Sequence, residues 1–235
     1  MKSPYRIAGS ALLALSLAAT MAAAAPESFR IDPNHTSVGF SIRHFFSKVQ
    51  GRFKEFEGTI QFDAKDPAAS SVEVTIQAAS INTENDRRDA DLRSPNFFEV
   101  DKNPTLAFKS SKVTLDAGKT TLAPGDHFKI QGDLSMHGVT KPVTLDATFL
   151  GSGPVGIGGS AMGTRAGFEA TTTVNRKDWG LNWNKTLDQG GTLLGDDVTI
   201  NLNVEAGTAP PPRPADAKPG APKTTTAPPK GGGGN

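Results

Sequence analysis

The feature that most constrains this chain is an almost unbroken alternation of apolar and polar residues over positions 128–149. The apolar set is Phe128, Ile130, Leu134, Met136, Val143, Leu145, Ala147 and Phe149. Residues 137–142 (HGVTKP) interrupt it, and the sequence predicts the turn of a β-hairpin there. Strand side chains alternate between two faces, so one face of this hairpin is apolar. Because a lone hairpin is marginal in water, that face must cover a core or enclose a cavity.

The first 24 residues have the pattern of a cleaved secretory signal. Lys2 and Arg6 precede a Leu- and Ala-rich run at 7–19, and residues 21–25 (MAAAA) are mostly small. That run is shorter than the roughly 20 residues of a membrane anchor. We expect cleavage after Ala24, a mature protein without a membrane-spanning helix, and location in the periplasm.

The chain contains no cysteine, which excludes disulfides, thiol catalysis, Cys-ligated zinc and acyl-Cys anchoring. Residues 26–206 are long enough for one domain stabilised by its hydrophobic core alone. Residues 207–235 hold eight prolines and six glycines but no Val, Ile, Leu or aromatic residue. Such a composition predicts a disordered tail, because it cannot bury enough apolar surface to offset the entropy of ordering.

The charge balance argues against nucleic acid as a partner. The whole chain has 25 basic and 24 acidic residues. Without the two basic residues of the leader, and the four basic and one acidic residues of the tail, 19 basic and 23 acidic residues remain. A domain with a net charge near −4 lacks the positive surface that binds phosphate backbones.

Alternation recurs along the domain, which predicts an all-β fold. Further strand patterns lie at 38–42, 53–62, 72–76, 106–115, 168–174 and 198–204. With the hairpin, seven or eight antiparallel strands favour a closed barrel or a sandwich. Within 53–62, the off-phase Phe56 and Gly58 indicate a bulge or a sharp bend.

One segment, 84–98, has a helical pattern instead. Thr83 and Asp86 fit a capping box, and Pro95 fits the start of a second helix. We expect one or two short helices across an end of the barrel, with one arginine of the charged run 86–91 (DRRDAD) anchoring the helix.

Motifs that carry catalysis or metal binding are absent from the sequence. The four histidines lack metal-ligand spacing, and neither a Gly-x-Ser-x-Gly elbow nor a glycine-rich phosphate loop occurs. We therefore predict no catalytic residue, metal or cofactor. Asp89 and Asp178 are the carboxylates on which the rival hypothesis, a lipid-modifying enzyme, would depend.

The apolar residues are unusually rich in phenylalanine. The chain has 13 Phe and a single Tyr, Tyr5, within the leader. This composition favours a dry interior with little demand for polar side-chain partners. A barrel of about eight strands is wide enough either to be filled by its side chains or to hold one small ligand. The residue pattern leaves both alternatives open.

Several short blocks of the sequence, taken together and in order, form a familiar pattern. The blocks are 31–32 (ID), 35–40 (HTSVGF), 51–53 (GRF), 56–58 (FEG), 80–83 (SINT), 92–98 (LRSPNFF), Pro104, 108–110 (FKS), 134–143 (LSMHGVTKPV), 175–181 (NRKDWGL) and 194–198 (LGDDV). They resemble the YceI-like family of periplasmic polyisoprenoid-binding proteins. Asn96 and Met136 depart mildly from the pattern, and the tail lies outside it. The resemblance implies a lipocalin-like antiparallel β-barrel whose bore takes a long isoprenoid chain, with its polar head near one mouth.

The leading hypothesis is therefore non-catalytic binding or transport of a long-chain isoprenoid lipid, such as a polyprenyl compound or a quinone. The expected cavity lining is Phe40, Ile42, Phe53, Phe62, Phe128, Ile130, Leu134, Leu145, Phe149 and Phe168. Trp179 and Trp183 lie either near a mouth or in a structural cap. A filled barrel acting as an interaction module is the alternative, and the sequence leaves open whether the protein pairs into a homodimer.

Overall fold

The computed structural model describes residues 25–208, which form one antiparallel sheet of 11 strands with one α-helix. The predicted leader, and the predicted tail beyond residue 208, lie outside the described residues. The strands are β1 (Glu27–Ile31), β2 (Ser37–His44), β3 (Ser47–Phe53), β4 (Phe56–Phe62), β5 (Ser71–Gln77), β6 (Ile81–Asn82), β7 (Thr105–Leu115), β8 (His127–Met136), β9 (Val139–Ile157), β10 (Ser160–Asn175) and β11 (Leu194–Gly207). The helix α1 spans Asp86–Arg93, and 3-10 turns occupy Pro67–Ala69, Ala78–Ser80 and Arg176–Trp179. None of the helices within 25–208 has the length and apolar character needed to cross a bilayer.

Eight of the strands close into a barrel, as the sequence predicts. Their order is β1-β4-β5-β7-β8-β9-β10-β11, and β11 returns to β1 to complete the ring. The long strand β11 pairs with β2 over most of its length and with β1 only at Ala206 and Gly207. β1 and β2 thus follow one another along the same edge of β11, and β3 and β6 extend the sheet from β2.

A cluster of polar side chains stabilises the point at which the pairing partner of β11 changes from β2 to β1, called the strand exchange below. Arg165 on β10 contacts Asp32, in the β1–β2 connection, at 3.1 Å and Glu205 on β11 at 3.7 Å. The Thr36 hydroxyl donates to the Glu205 carbonyl and accepts from the Glu205 N–H, both at 3.1 Å. The backbone groups that the strand exchange leaves unpaired therefore find partners, as partly buried polar groups must.

The hairpin β8–β9 is confirmed, but its turn is shorter than predicted. Met136 pairs with Val139, so only His137 and Gly138 form the turn, both with positive φ, 49° and 74°. Two left-handed residues twist a hairpin in the direction that its strands require, and the ladder resumes immediately. Residues 139–142, predicted as part of the turn, belong to β9.

Two phase changes in the sequence have distinct structural origins. In β7, Leu106 and Phe108 are out of phase with Val113 and Leu115, and a register shift against β8 near Ser110 absorbs the extra residue. A β-bulge of this kind keeps both apolar pairs on the inner face. The region 53–62 is not one strand: it breaks at residues 54–55, which separate β3 from β4.

Helix α1 begins at a different cap from the one predicted. Asn85, in extended conformation, accepts the Arg88 N–H at 3.0 Å and is the N-cap residue. Thr83 binds the side of the helix instead: its N–H donates to the Asp89 carboxylate at 2.9 Å. Arg88 donates to the Thr83 hydroxyl and carbonyl at 2.7 and 2.8 Å. Arg88 thus ties the helix to the segment that precedes it, but it is half-buried, whereas the sequence led us to expect a buried arginine that holds the helix onto the barrel end.

Of the one or two short helices expected within 84–98, α1 is the one that forms, and Pro95 does not begin a second helix. The hydroxyl of Ser94 donates to the Asp91 carbonyl at 2.7 Å and accepts the Asn96 N–H at 3.2 Å. Such local side-chain bonds offer the backbone an alternative to a new helix. The residues after Ser94 form turns, and these turns bury Phe97.

The ionic cluster at the strand exchange makes a pH-dependent prediction. The His35 hydrogen bond, helped by Arg165, holds the pKa of Asp32 below its usual 3.8. A carboxylate with a lowered folded-state pKa stabilises the protein above that range and loses the effect as pH falls. Asp32→Asn should therefore lower the free energy of unfolding by about 1 kcal/mol at neutral pH.

The measurement is urea unfolding of both proteins at neutral pH and at about pH 3. The difference between wild type and variant should shrink at low pH, because the unfolded wild type then binds a proton at Asp32 that the folded protein, with its lowered pKa, resists binding. A difference that stays constant across this range would contradict the role of the charge.

Candidate functional site

The barrel encloses a cavity of about 970 Å³. Its wall consists almost entirely of the inward apolar side chains of the ring strands, completed by β2 and β3. At one end the lining becomes polar and includes the exposed residues Asn85, Arg87 and Lys185. This volume lies in the range of small-molecule sites.

The bore is not filled by the protein's own side chains. Val38, Phe40, Ile130, Ile200 and Leu202 all line the cavity, yet each is only half-buried. Native cores pack at the density of organic crystals, which would leave such residues fully buried. Because all five contribute accessible surface to the cavity, the filled-barrel alternative does not describe this structure.

Two phenylalanines lie across glycines in the opposite strand. A Cβ atom at Gly51 would come within 2.4 Å of the Phe40 ring, and one at Gly132 within 2.6 Å of the Phe108 ring. Each ring therefore occupies the space that a side chain would take on the inner face of its partner strand. The glycines let large aromatic residues lie along the wall, which preserves the width of the bore.

The opposite end is closed by a floor of packed phenylalanines. The ring of Phe62 lies 5.0 Å from those of both Phe149 and Phe168, and Phe149 and Phe168 are 5.5 Å apart. Phe29 and Phe128 extend this cluster at 6.4 and 6.5 Å. All five are at least 92% buried, so this end is dry and closed.

Nine of the ten residues predicted to line a cavity do so. They are Phe40, Ile42, Phe53, Phe62, Phe128, Ile130, Leu134, Leu145 and Phe168. Phe149 has the predicted inward orientation but lies within the floor, outside the cavity lining. Alternation specifies the face of a strand and carries no information about depth along the barrel axis, so Phe149 was placed on the correct face at the wrong height.

The two tryptophans separate into the two predicted roles. Trp183 lines the cavity, with its ring 5.2 Å from that of Phe97. Trp179 is buried outside the lining, and its indole N–H donates to the Leu134 carbonyl at 3.0 Å. His137 in the hairpin turn bonds the Trp179 carbonyl at 2.9 Å, so Trp179 is a structural cap and not a mouth residue.

A buried arginine fixes the loop that carries Trp183. Arg176 donates to the carbonyls of Leu181, Trp183 and Gly195 and contacts Asp196 at 3.3 Å. Burial lowers the pKa of Arg176, and the Asp196 carboxylate opposes that shift. A guanidinium still remains protonated, and its five donors suit a ring of carbonyls.

The open end of the cavity has an excess of positive charge. Arg87, Arg88 and Lys185 all line it, whereas Asp91 is the acidic member of the lining among the described residues. Asp91 already accepts a hydrogen bond from the Asn96 amide at 2.7 Å. This end can therefore attract a polar or anionic group, whereas the rest of the lining is apolar.

The carboxylates of the enzyme hypothesis lie elsewhere. Asp89 lies outside the cavity lining and is 99% buried, and its carboxylate accepts hydrogen bonds from the Thr83 N–H and hydroxyl. Asp178 is exposed and also outside it. Neither residue therefore lines the bore.

One group of residues has the composition of a metal site. Ligand atoms of Asp32, His35 and Glu205 lie within 4.8 Å of one another. Arg165 already contacts both carboxylates of this group, so a positive charge is supplied by the chain itself. The cluster is therefore assigned to the strand exchange described above and not to a cation.

Sequence reasoning missed the lining contributed by irregular segments. Asn85, Arg87, Asn96, Phe97 and Leu193 all line the cavity without belonging to an alternating strand. Residues 96 and 97 lie within the resemblance block 92–98, which was the available signal. Periodicity cannot find residues that are positioned by turns and helix ends.

Comparison with known proteins agrees with this architecture. The profile of the YceI-like domain family matches residues 29–206. A UPF0312 protein of Pseudomonas paraeruginosa is 40% identical over 180 residues, covering 75% of this chain and 85% of that protein. Protein YceI of Shigella flexneri is 39% identical over 197 residues, covering 81% and 95% respectively. A polyisoprenoid binding domain from Saccharophagus degradans shares the fold with a TM-score of 0.54 at 18% identity, over 77% of this chain and 98% of that one.

The role of Arg176 can be tested by Arg176→Lys. Lysine retains the charge but cannot donate to all of these carbonyls at once, so buried acceptors lose their partners. We expect the free energy of unfolding to fall by about 2–4 kcal/mol in urea denaturation. Arg87→Lys, at an exposed arginine of α1, is the matched control and should change it by less than about 0.5 kcal/mol. If both substitutions lowered the free energy of unfolding equally, Arg176 would not have the role of fixing the loop that carries Trp183.

Proposed function

The chain belongs to the YceI-like family, and on that premise we propose that it binds a long-chain isoprenoid lipid inside its barrel, without catalysis. The observation that carries this proposal is the apolar bore of about 970 Å³, closed at one end and open at the other. A polyprenyl compound or a quinone with a polyprenyl tail has the matching chemistry: one long apolar chain and one polar head.

The volume supports a ligand of limited length. A water molecule takes about 30 Å³, so the cavity holds on the order of thirty groups of that size. If each carbon atom takes a similar volume, the bore accommodates roughly six five-carbon isoprene units. A longer chain would have to extend through the mouth or displace side chains.

The wall chemistry supplies affinity without specific polar contacts. Each CH₂ transferred from water to an apolar surface contributes about 0.8 kcal/mol. Several isoprene units therefore suffice for tight binding even after the entropy cost of ordering the chain is subtracted. The inner faces of the strands select for apolar character and length, not for a particular arrangement of hydrogen bonds.

The orientation of the ligand follows from the contrast between the ends. The phenylalanine floor would contact the tail terminus, while Arg87, Arg88 and Lys185 at the open end would contact the head. An anionic head, such as a phosphate, gains more from these cations than a neutral quinone ring does. The Saccharophagus degradans protein that shares the fold is described as a polyisoprenoid binding domain, which supports the same class of ligand.

A lipid-modifying enzyme receives less support. Acid–base catalysis commonly uses two groups with different proton affinities facing the substrate. Asp91 is the sole carboxylate of the described cavity lining, and it bonds Asn96. The leader predicted at 1–24 supports export, so we propose that the binding takes place in the periplasm.

Mass spectrometry of the native protein tests the proposal. The mature protein, purified from its export pathway and extracted with organic solvent, should yield a polyprenyl phosphate, quinone or related long-chain compound in near-stoichiometric amount. Delipidated protein should take up a C30 isoprenoid offered from a carrier solvent. Recovery of no lipid, together with no uptake, would overturn the proposal.

A cavity-filling substitution tests whether the lipid occupies the bore. Ala170 on β10 lines the cavity, so Ala170→Phe should occupy part of the bore without burying a charge. Displacing even three methylene groups costs about 2.4 kcal/mol, so we expect lipid affinity to fall about 50-fold in an uptake titration.

Thr173→Phe is the matched control for Ala170→Phe. Thr173 lies three residues along the same strand, is exposed, and points to the outer face. This variant should keep wild-type lipid affinity. If both variants bind lipid as well as wild type does, the ligand does not occupy the bore at this level.

A further inference from the structure

The turn between β2 and β3 carries two phenylalanines into solvent. His44 pairs with Ser47, so Phe45 and Phe46 form the whole turn. Phe46 is fully exposed and Phe45 is 43% exposed, although all other phenylalanines within residues 25–208 are buried or half-buried. A tip that presents two aromatic rings to water requires an explanation, because solvent-exposed turns ordinarily carry polar residues.

Turn chemistry does not supply that explanation. Phe45 has a φ of 49°, in the left-handed region that Gly, Asn or Asp adopt at low cost. A bulky side chain there is strained, and such strain is retained mainly at functional positions. Glycine at this position would serve the hairpin better, so the fold alone does not account for Phe45 and Phe46.

The tip is fastened to the rim of the cavity. The Phe45 N–H donates to the Leu193 carbonyl at 3.0 Å, and Arg43 donates to the Phe45 carbonyl at 3.2 Å. His44 and Leu193, which flank this junction, both line the cavity. The exposed rings thus stand at the open end of the bore, held by the same residues that form its edge.

Basic residues surround the tip. Arg43 and Lys48 face each other across the hairpin, and Lys185 accepts the Leu193 N–H through its carbonyl. All three basic residues are exposed, whereas the adjoining loop 186–192 contributes one acidic residue, Asp188. Exposed aromatic rings within a set of basic side chains match the interface of an anionic phospholipid bilayer.

A second exposed apolar hairpin lacks this charge pattern. The β9–β10 hairpin exposes Leu150, Val155, Ile157 and Met162 at the floor end of the barrel. Residues 150–164 contain no charged side chain. The β9–β10 hairpin therefore has no charged side chains of its own to attract an anionic surface, in contrast to the β2–β3 hairpin.

We propose that the β2–β3 tip, residues 43–48, docks the open end of the barrel onto an anionic phospholipid bilayer. Phe45 and Phe46 enter the interfacial layer, and Arg43, Lys48 and Lys185 contact lipid headgroups. The bore then faces the membrane, and a long-chain ligand passes between bilayer and barrel without crossing bulk water. The transfer step rests on the proposed function, whereas docking itself does not require a ligand.

Vesicle flotation tests the docking. The mature full chain should float with vesicles of phosphatidylglycerol and phosphatidylethanolamine and remain unbound with phosphatidylcholine vesicles. Phe46→Ser should reduce the bound fraction at least tenfold, and Lys48→Glu should reduce it on phosphatidylglycerol vesicles. Ile157→Ser, at the other exposed hairpin, is the matched control and should bind as wild type does.

Two further measurements, isoprenoid uptake and sedimentation, distinguish membrane docking from lipid binding and from pairing of two copies of the chain. Uptake of a C30 isoprenoid from carrier solvent should be unchanged in Phe46→Ser, because Phe46 lies outside the cavity lining. Wild type that takes up isoprenoid but does not float would overturn docking and leave the proposed function intact. Flotation without uptake would overturn the proposed function and leave docking intact. If sedimentation shows that Phe46→Ser converts a dimer to a monomer and no vesicle binding occurs, the tip is a contact between two copies of this chain and the proposal is wrong.

Discussion

Closure of the sheet between β11 and β1 is the constraint on which the rest of the structure depends. β11 is shared: it pairs with β2 for most of its length and reaches β1 only at its last residues. Because Arg165, Asp32 and Thr36 satisfy the polar groups at this exchange, the barrel has no unpaired edge there. Without that closure the inner faces would be open to water, and neither a floor nor a bore could exist.

Within the closed ring, the same residue type performs two tasks. Phenylalanines at the floor pack ring against ring and shut the barrel, whereas Phe40 and Phe108 lie across glycines and leave the centre empty. The difference comes from the partner strand, because a glycine opposite a ring lets it lie along the wall. An eight-stranded barrel is just wide enough either to be filled by its side chains or to hold a small ligand, and rings that lie along the wall favour the second outcome here.

Much of the fold was predictable because alternation is a local property. The inward faces of β8 and β9 and an all-β barrel of about eight strands follow from the order of residues, whereas β1, which completes the ring, was not among the predicted strands. Depth along the barrel was not predictable, and Phe149 consequently lies in the floor. Helix capping depended on which of two neighbouring polar residues reached the first turn, and Asn85 does so because Thr83 is held by Arg88 and Asp89. The family resemblance supplied the class of ligand, which no pattern of apolar residues could identify.

The sequence by itself determined an all-β chain with apolar inner faces, since hydrophobic periodicity is written directly in the residue order. Only the tertiary structure decided that the interior is a cavity and not a filled core, because that depends on which rings face glycines across the sheet. Only the tertiary structure likewise joined Arg87, Lys185 and the Phe45–Phe46 turn at one end of the barrel. Residues more than a hundred positions apart become neighbours there, and their common surface is a property of the closed sheet.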